Sequence, residues 1–466
     1  MSTCHQLSHA QEALWFLYEL DPEGSSYNTG VAVRVLSPVE LPALREAVAA
    51  AVARHELVHS LFDRVDGVPV STPRAHEPFA LLVEDLGPVG DDELRTAVRR
   101  ALNEPYHLRD RGAFRFVLLR RSETDAVLLI GGHHIASDAV SDLVLLRDIL
   151  AGYQQAVAGE EAAPAPVAYT HDTYVAAEQR LLSSPRGARA EAFWHGVIEG
   201  AQPAQIPTDR PRTAGPTPVG ATHHLELDAG QVEALRTAAR ACGVTLFSFL
   251  LGAFQGLLHR YTRQNDFLIG CPTTTRLSPP MRDVVGNYIN TLVFRGSFAP
   301  GATFRDAATT VDGQVRQGLA AVGYPFARLT RTANRPRTSA GSSLCQITFN
   351  LIGVAKPDPL MKLLLDGEGE HNTIEHHGLT ISPFELPQAE GQLDLAVNVR
   401  QSSDCLTLDF RYNAVLFDLS TIERFASYYV RALDTAAADP DQVISRLRLV
   451  QVPAPSRPSD QEAVRV

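Results

Sequence analysis

The chain has 466 residues, about three times the ~150 residues of a typical domain, so one or two large domains with a sizeable core are expected and a small stapled scaffold is excluded. Hydrophobic residues make up 45% and charged residues 20%, which excludes wholesale disorder and a fibrous architecture. With 42 Lys and Arg against 53 Asp and Glu, the formal net charge of −11 repels a phosphate backbone, so nucleic acid is not an expected partner.

In chain order, the N-terminus (MSTCHQLSHAQEALW) lacks a basic region followed by an unbroken apolar run, so no signal peptide is visible and export is not indicated. Residues 30–36 (GVAVRVL) read as a strand. Ser37, Pro38 and Glu40 then combine a cap hydroxyl, a first-turn proline and a capping-box acid, which predicts a helix start. Leu41, Leu44, Val48 and Val52 place one apolar stripe on that helix as far as Arg54. Residues 114–120 and 125–131 are β-rich and separated by a short polar turn, which predicts a hairpin or neighbouring strands. His133 and His134 follow directly, and a helix capped by Ser137 or Asp138 runs to about Tyr153.

Residues 157–168 are rich in Ala, Pro and Glu, and residues 202–220 hold five prolines, so a connection between two lobes is expected between these segments, the second being the stronger candidate. Helices are predicted at 229–241, 244–260 and 419–436, and strands at 267–274, 289–295, 345–352, 393–399 and 405–411. The most apolar stretch, residues 246–258, is shorter than the ~20 residues a membrane span needs and reads as a buried core helix. Residues from 453 onward read as a flexible tail. The five cysteines are odd in number, scattered and never in a CxxC pair, which argues against a disulfide framework or zinc site and sets a reducing cytoplasm as the expected location.

The pointed constellation is His133-His134-Ile135-Ala136-Ser137-Asp138-Ala139. Successive side chains alternate at a strand end, so one imidazole faces a cleft while the other packs inward. Acyl transfer needs a group near pKa 7 within reach of the nucleophile, and His suits that role. Asp138 would rigidify the turn, and the following helix would aim backbone N–H groups at a developing oxyanion. On spacing alone a satisfied polar cluster competes with this reading, and a metal site lacks a third ligand nearby. No GxSxG elbow, P-loop or GxGxxG turn after a strand is present, so hydrolase, NTPase and dinucleotide readings lack support.

Five segments in order carry a family resemblance: residues 7–15 (LSHAQEALW), 54–62 (RHELVHSLF), 133–139 (HHIASDA, against HHxxxDG), 285–291 (VGNYINT, against VGxFxNT) and 323–326 (GYPF). Together they resemble the condensation domains of nonribosomal peptide synthesis from about residue 6 to 450. Departures are Ala139 for Gly, Val140 for a frequent aromatic, His59 for Arg, Tyr288 for Phe, and a missing basic residue near 341–346. The resemblance implies an α/β (α+β) fold of two chloramphenicol acetyltransferase-like lobes arranged as a V around a central tunnel. The expected division is an N-terminal lobe at 1–180, a connection at 181–220, a C-terminal lobe at 221–452 and the tail at 453–466.

The same resemblance implies His134 as the catalytic residue, with His133 structural. It also implies Asp138 paired with Arg276, the last residue of GCPTTTR, while Ser137, Ala139 and Asn350 would line the tunnel or oxyanion site. No bound cofactor or metal is implied, because the acyl group would arrive on the phosphopantetheine of a separate carrier protein. Without adenylation or carrier signatures, the expected protein is a free-standing condensation enzyme acting on an amine or alcohol acceptor, soluble or carrier-bound, with neither nucleic acid nor membrane as partner. An acyl-CoA-dependent acyltransferase of the same fold and a non-catalytic recruitment module are the alternatives; epimerase relatives normally sit beside a carrier domain.

Overall fold

The computed structural model describes residues 4–74, 80–162, 166–212, 219–333, 344–353, 359–368, 372–386, 393–402 and 405–449. The expected tail and Gly341, Ser342 and Ser343 of the departure near 341–346 lie outside these residues.

The chain opens with β1 (His5–Gln6) and α1 (His9–Leu20), whose start is set by a capping box between Ser8 and Gln11. After β2 (Asn28–Val35), α2 (Leu41–Arg54) begins later than the Ser37 motif predicts. The Ser37 hydroxyl accepts instead from the Thr380 N–H, 3.1 Å away, so it is taken by a distant strand and Glu40 caps the helix without a side-chain bond. Next come β3 (Ser60–Val65), β4 (Val68–Pro73), β5 (Leu81–Asp85), α3 (Asp91–Asn103), β6 (Phe114–Ser122), β7 (Asp125–His133) and α4 (Ala139–Val157). The β6–β7 pair is the expected antiparallel hairpin.

Alternation along these strands divides the first lobe into two layers. Leu128 and Ile130 of β7 join Leu44, Val48, Leu145 and Ile149 of α2 and α4 on one face. Val127 and Leu129 meet Leu94, Val98 and Leu102 of α3 on the other.

The chain continues through α5 (His171–Leu182), α6 (Pro185–Ile198), β8 (Gln202–Pro203), β9 (Gly220–Leu227), α7 (Ala229–Ala241), α8 (Leu246–Thr262), β10 (Asp266–Thr274) and β11 (Ile289–Ser297). It then runs through α9 (Phe304–Ala320), α10 (Phe326–Thr332), β12 (Ile347–Gly353), α11 (Pro359–Asp366), β13 (Ile374–His376), β14 (Leu379–Pro383), β15 (Leu395–Gln401), β16 (Leu406–Asn413) and α12 (Leu419–Ala438). The second sheet has the order β11-β10-β12-β15-β16-β9, with β8 beside β10. Helix α8 is buried from Ser248 to Leu258, and a Cβ at Gly252 would come within 2.7 Å of the Ala308 backbone, so glycine permits the close approach of α9. No single helix among the described residues is long and apolar enough to cross a membrane.

The lobe boundaries differ from the sequence reading in two places. Within 181–220, expected as connection, α6 buries Ala190, Trp194 and Ile198 in the second core, and the Trp194 indole donates to the Ala321 carbonyl at 3.1 Å. Within 221–452, expected as one lobe, β14 leaves for the first sheet and pairs antiparallel with β2, so the first sheet runs β13-β14-β2-β7-β6-β5. Burial of Leu379 and Ile381 beside the first lobe's core drives this crossover.

Candidate active site

Strand β7 ends at His133, and His134 opens the turn that follows. Two glycines precede them: a Cβ on Gly131 would sit 2.7 Å from the Tyr106 hydroxyl, and one on Gly132 would sit 3.1 Å from Ser137 Cβ, so the strand end packs tightly against its surroundings. His133 turns inward at 3% exposure, among the rings of Tyr18, Tyr27 and Tyr106. Its Nδ1 accepts from the Ile135 N–H at 3.1 Å. Burial, with a smaller contribution from neighbouring His134, pushes its pKa down to about 3, so it stays neutral near pH 7 and cannot shuttle a proton there.

His134 is half-buried. Its N–H donates to the Tyr27 carbonyl at 2.8 Å, and its Nδ1 lies 3.0 Å from the Ser137 carbonyl oxygen. A carbonyl only accepts, so in the neutral ring Nδ1 carries the proton and Nε2 keeps its lone pair. The turn that supplies this carbonyl is tied down on every side. The His133 carbonyl accepts from the Ala136 and Ser137 N–H groups at 2.9 and 3.2 Å, and the Gln11 amide donates to the Ile135 carbonyl at 2.9 Å.

Asp138 commits its carboxylate to Ser141, Tyr288 and Arg276. One carboxylate oxygen accepts from the Ser141 N–H and hydroxyl, both at 2.9 Å, and so caps α4. The other accepts from the Tyr288 N–H at 2.9 Å and from Arg276 Nη1. Arg276 also donates through Nη2 to the Ser141 hydroxyl at 2.7 Å and to the Val284 carbonyl at 3.0 Å, with its guanidinium 4.6 Å from the centre of the Tyr288 ring. The two side chains are 1% and 4% exposed, so this pair is a desolvated stitch between the lobes.

The other quoted motifs supply scaffold. Arg54 donates to Asp148 at 2.5 Å, and His55 Nε2 meets the same carboxylate at 2.8 Å, fastening α2 to α4. Asn290 donates to the Val322 and Tyr324 carbonyls at 2.7 and 2.8 Å and accepts from the Phe326 N–H at 2.8 Å, so the segments at 285–291 and 323–326 lock to each other. Tyr288, where the family pattern has Phe, places its hydroxyl 3.3 Å from His171 Nδ1.

His133, His134, Ser137, Asp138, Ala139 and Arg276 therefore meet around one turn. Ala139 opens α4 and is exposed, so its methyl group is not packed into the turn. Asn350 lies half-buried on β12, opposite Asn398 of β15, and makes no hydrogen bond to this turn. Asp142 was not singled out from the sequence. It is 2% exposed, its Oδ1 accepts from the Ser137 hydroxyl at 2.6 Å, and its Oδ2 accepts from the Thr29 hydroxyl at 3.3 Å. Burial, reinforced by the Asp138 charge and opposed by the Ser137 hydroxyl, pushes its pKa up to about 7. The available signal was an acid among residues buried on α4, in register with Leu145, Leu146 and Ile149. Among the described residues no group of three or more His, Cys, Asp or Glu side chains is arranged to hold a metal ion.

A family model described as "Condensation domain" matches residues 1–453. The phosphinothricin tripeptide synthetase PhsC of Streptomyces viridochromogenes is 32% identical over 450 residues, covering 95% of this chain and 40% of that protein. The chain spans a still smaller share of other curated relatives it matches. Among solved structures, the X-domain in complex with OxyB from teicoplanin biosynthesis has a TM-score of 0.84 at 24% identity, covering 97% of each chain. The SgcC5 protein of Streptomyces globisporus, in complex with (R)-(-)-1-(2-naphthyl)-1,2-ethanediol and sucrose, has a TM-score of 0.75 at 26% identity, covering 94% of this chain and 100% of that one.

Proposed function

The chain belongs to the condensation-domain family of nonribosomal peptide synthesis, with its chloramphenicol acetyltransferase-like fold and amide-forming chemistry, and on that premise we propose that it transfers a carrier-tethered acyl or aminoacyl group to an amine or alcohol acceptor through His134. The observation that carries this reading is the bond from His134 Nδ1 to the Ser137 carbonyl, which leaves Nε2 as the acceptor on a half-buried ring.

The acceptor N–H or O–H proton passes to Nε2 as the new C–N or C–O bond forms at the thioester carbonyl. The C–S bond then breaks, and the proton is returned to the departing pantetheine sulfur. The opening amides of α4, at Ala139 and Val140, are donors for the carbonyl oxygen as it gains charge. His133 supports the turn as a neutral ring, and the Asp138–Arg276 pair holds the second lobe against it. The diol in the SgcC5 structure supports including alcohols among the acceptors tested.

The test is mass spectrometry of products formed from an acyl thioester presented on a carrier protein, on CoA and on a truncated pantetheine, each with a panel of amines and alcohols. Carrier docking adds binding energy away from the reacting atoms, so kcat/KM is expected to be highest for the carrier. Equal or better use of CoA would overturn the carrier reading in favour of an acyl-CoA transferase. No product with any donor, together with capture of a partner enzyme, would favour a recruitment module.

A further inference from the structure

Bonds to the His133 and Ile135 carbonyls hold the backbone of the turn, and the Ser137 side chain supplies a further anchor beside the carbonyl that holds the His134 Nδ1 proton. Ser137 is fully buried, and its side chain has one strong partner, the Asp142 carboxyl at 2.6 Å. That carboxyl is itself anchored on α4 and accepts on its other oxygen from Thr29 of β2, a residue paired with Gly132 just before the two histidines. The links form one chain: the Thr29 hydroxyl to the Asp142 carboxyl, the carboxyl to the Ser137 hydroxyl, and the Ser137 carbonyl to His134 Nδ1. An apolar side chain at 142 would suit the neighbouring Leu145 and Leu146, so the buried carboxyl has its purpose in these two hydroxyls.

We propose that Asp142 is a positioning residue for His134: by holding the Ser137 hydroxyl it fixes the carbonyl that keeps the imidazole proton on Nδ1 and leaves Nε2 free as acceptor. The proposal rests on the reading in which Nε2 takes the acceptor's proton, but its first readout does not require turnover.

Protein labelled with 15N-histidine is examined by long-range proton–nitrogen NMR, with the His134 signals assigned by their loss in His134→Gln. Wild type shows the Nδ1–H tautomer. Asp142→Asn keeps it, because an amide oxygen still accepts from Ser137, and retains a rate within roughly threefold of wild type. Asp142→Ala shows mixed tautomers and loses roughly tenfold in kcat per folded molecule with KM unchanged, the pattern of a misplaced group rather than lost binding. Ser137→Ala breaks the same chain without altering α4 and shows the same loss, and the double variant adds little to either. A folded Asp142→Ala or Ser137→Ala protein that retains both the Nδ1–H tautomer and wild-type kcat overturns the proposal. Should no acyl donor be turned over, the function reading fails, and the tautomer alone still decides this one.

Discussion

Replacing Arg276 with Leu removes the cation from a carboxylate that is 1% exposed. Asp138 would keep three donors, the Ser141 N–H and hydroxyl and the Tyr288 N–H, but its charge would be uncompensated, while the Val284 carbonyl would lose its Arg276 donor. Breaking a buried pair from one side costs about 3–5 kcal/mol, and the retained donors place this variant near the lower end. Asp138→Asn leaves the guanidinium buried beside the Tyr288 ring and falls in the same range of about 3–5 kcal/mol. In the double variant neither charge remains, so its cost falls well short of the sum, giving a coupling of about 2 kcal/mol or more. Urea midpoints with unchanged slope measure the four corners of this cycle. The pair is dry, so the coupling persists at 0.5 M salt. Additivity within about 0.5 kcal/mol, or a coupling abolished by salt, would refute the argument that this bond is a buried stitch.

His133→Ala is expected to destabilise by about 2–4 kcal/mol, since it leaves a cavity among three tyrosines, while folded protein retains the pH–rate profile of wild type because a ring with pKa about 3 takes no part in proton transfer near neutrality. A shifted pH–rate profile would count against its structural role. Asp142 has a folded pKa of about 7, above its usual 3.8, so between these values the native state binds a proton the unfolded chain has released, and stability from this group falls as pH rises through that window. His133 acts with the opposite sign, because its folded pKa lies below its usual 6.5, so the quantity to measure is the difference between Asp142→Asn and wild type. That difference should grow in favour of Asn from pH 4 to 7, by at most about 1.4 kcal/mol per pH unit, with Asp138, His134 and Tyr106 as the titratable neighbours of the carboxyl. A difference that is flat with pH would show the carboxyl to be ionised throughout.

Local signals carried most of the element reading, because strands such as Phe114–Ser122 and Asp125–His133 and the apolar helix Leu246–Thr262 write their burial into their own periodicity. What failed depended on partners distant in sequence. Ser37 looks like a helix cap until Thr380 arrives to take its hydroxyl. Strand Leu379–Pro383 is five residues long, and nothing in those five residues says that, besides pairing with its sequence neighbour Ile374–His376, it pairs on its other edge with Val33, Arg34 and Val35. Helix Pro185–Ile198 was hidden beside a proline-rich segment, although Trp194 was a large side chain needing a core. At the site, strand alternation made legible that one of the two imidazoles is buried and the other is not, while the assignment of the roles to His133 and His134 and the naming of Arg276 came only through the family resemblance. Asp142 was missed because a single acid in a helix reads as surface; only the 2.6 Å approach of Ser137 gives it a role.

Whether His134 Nε2 takes the acceptor's proton is measured by single-turnover transfer from an acyl-loaded carrier protein, followed by mass spectrometry. His134→Ala, with an unfolding free energy from urea titration within about 1 kcal/mol of wild type, should transfer at least about 10²-fold more slowly, with the carrier bound equally tightly. Transfer at near wild-type rates by that variant would contradict that role and leave positioning of the two substrates as the source of catalysis.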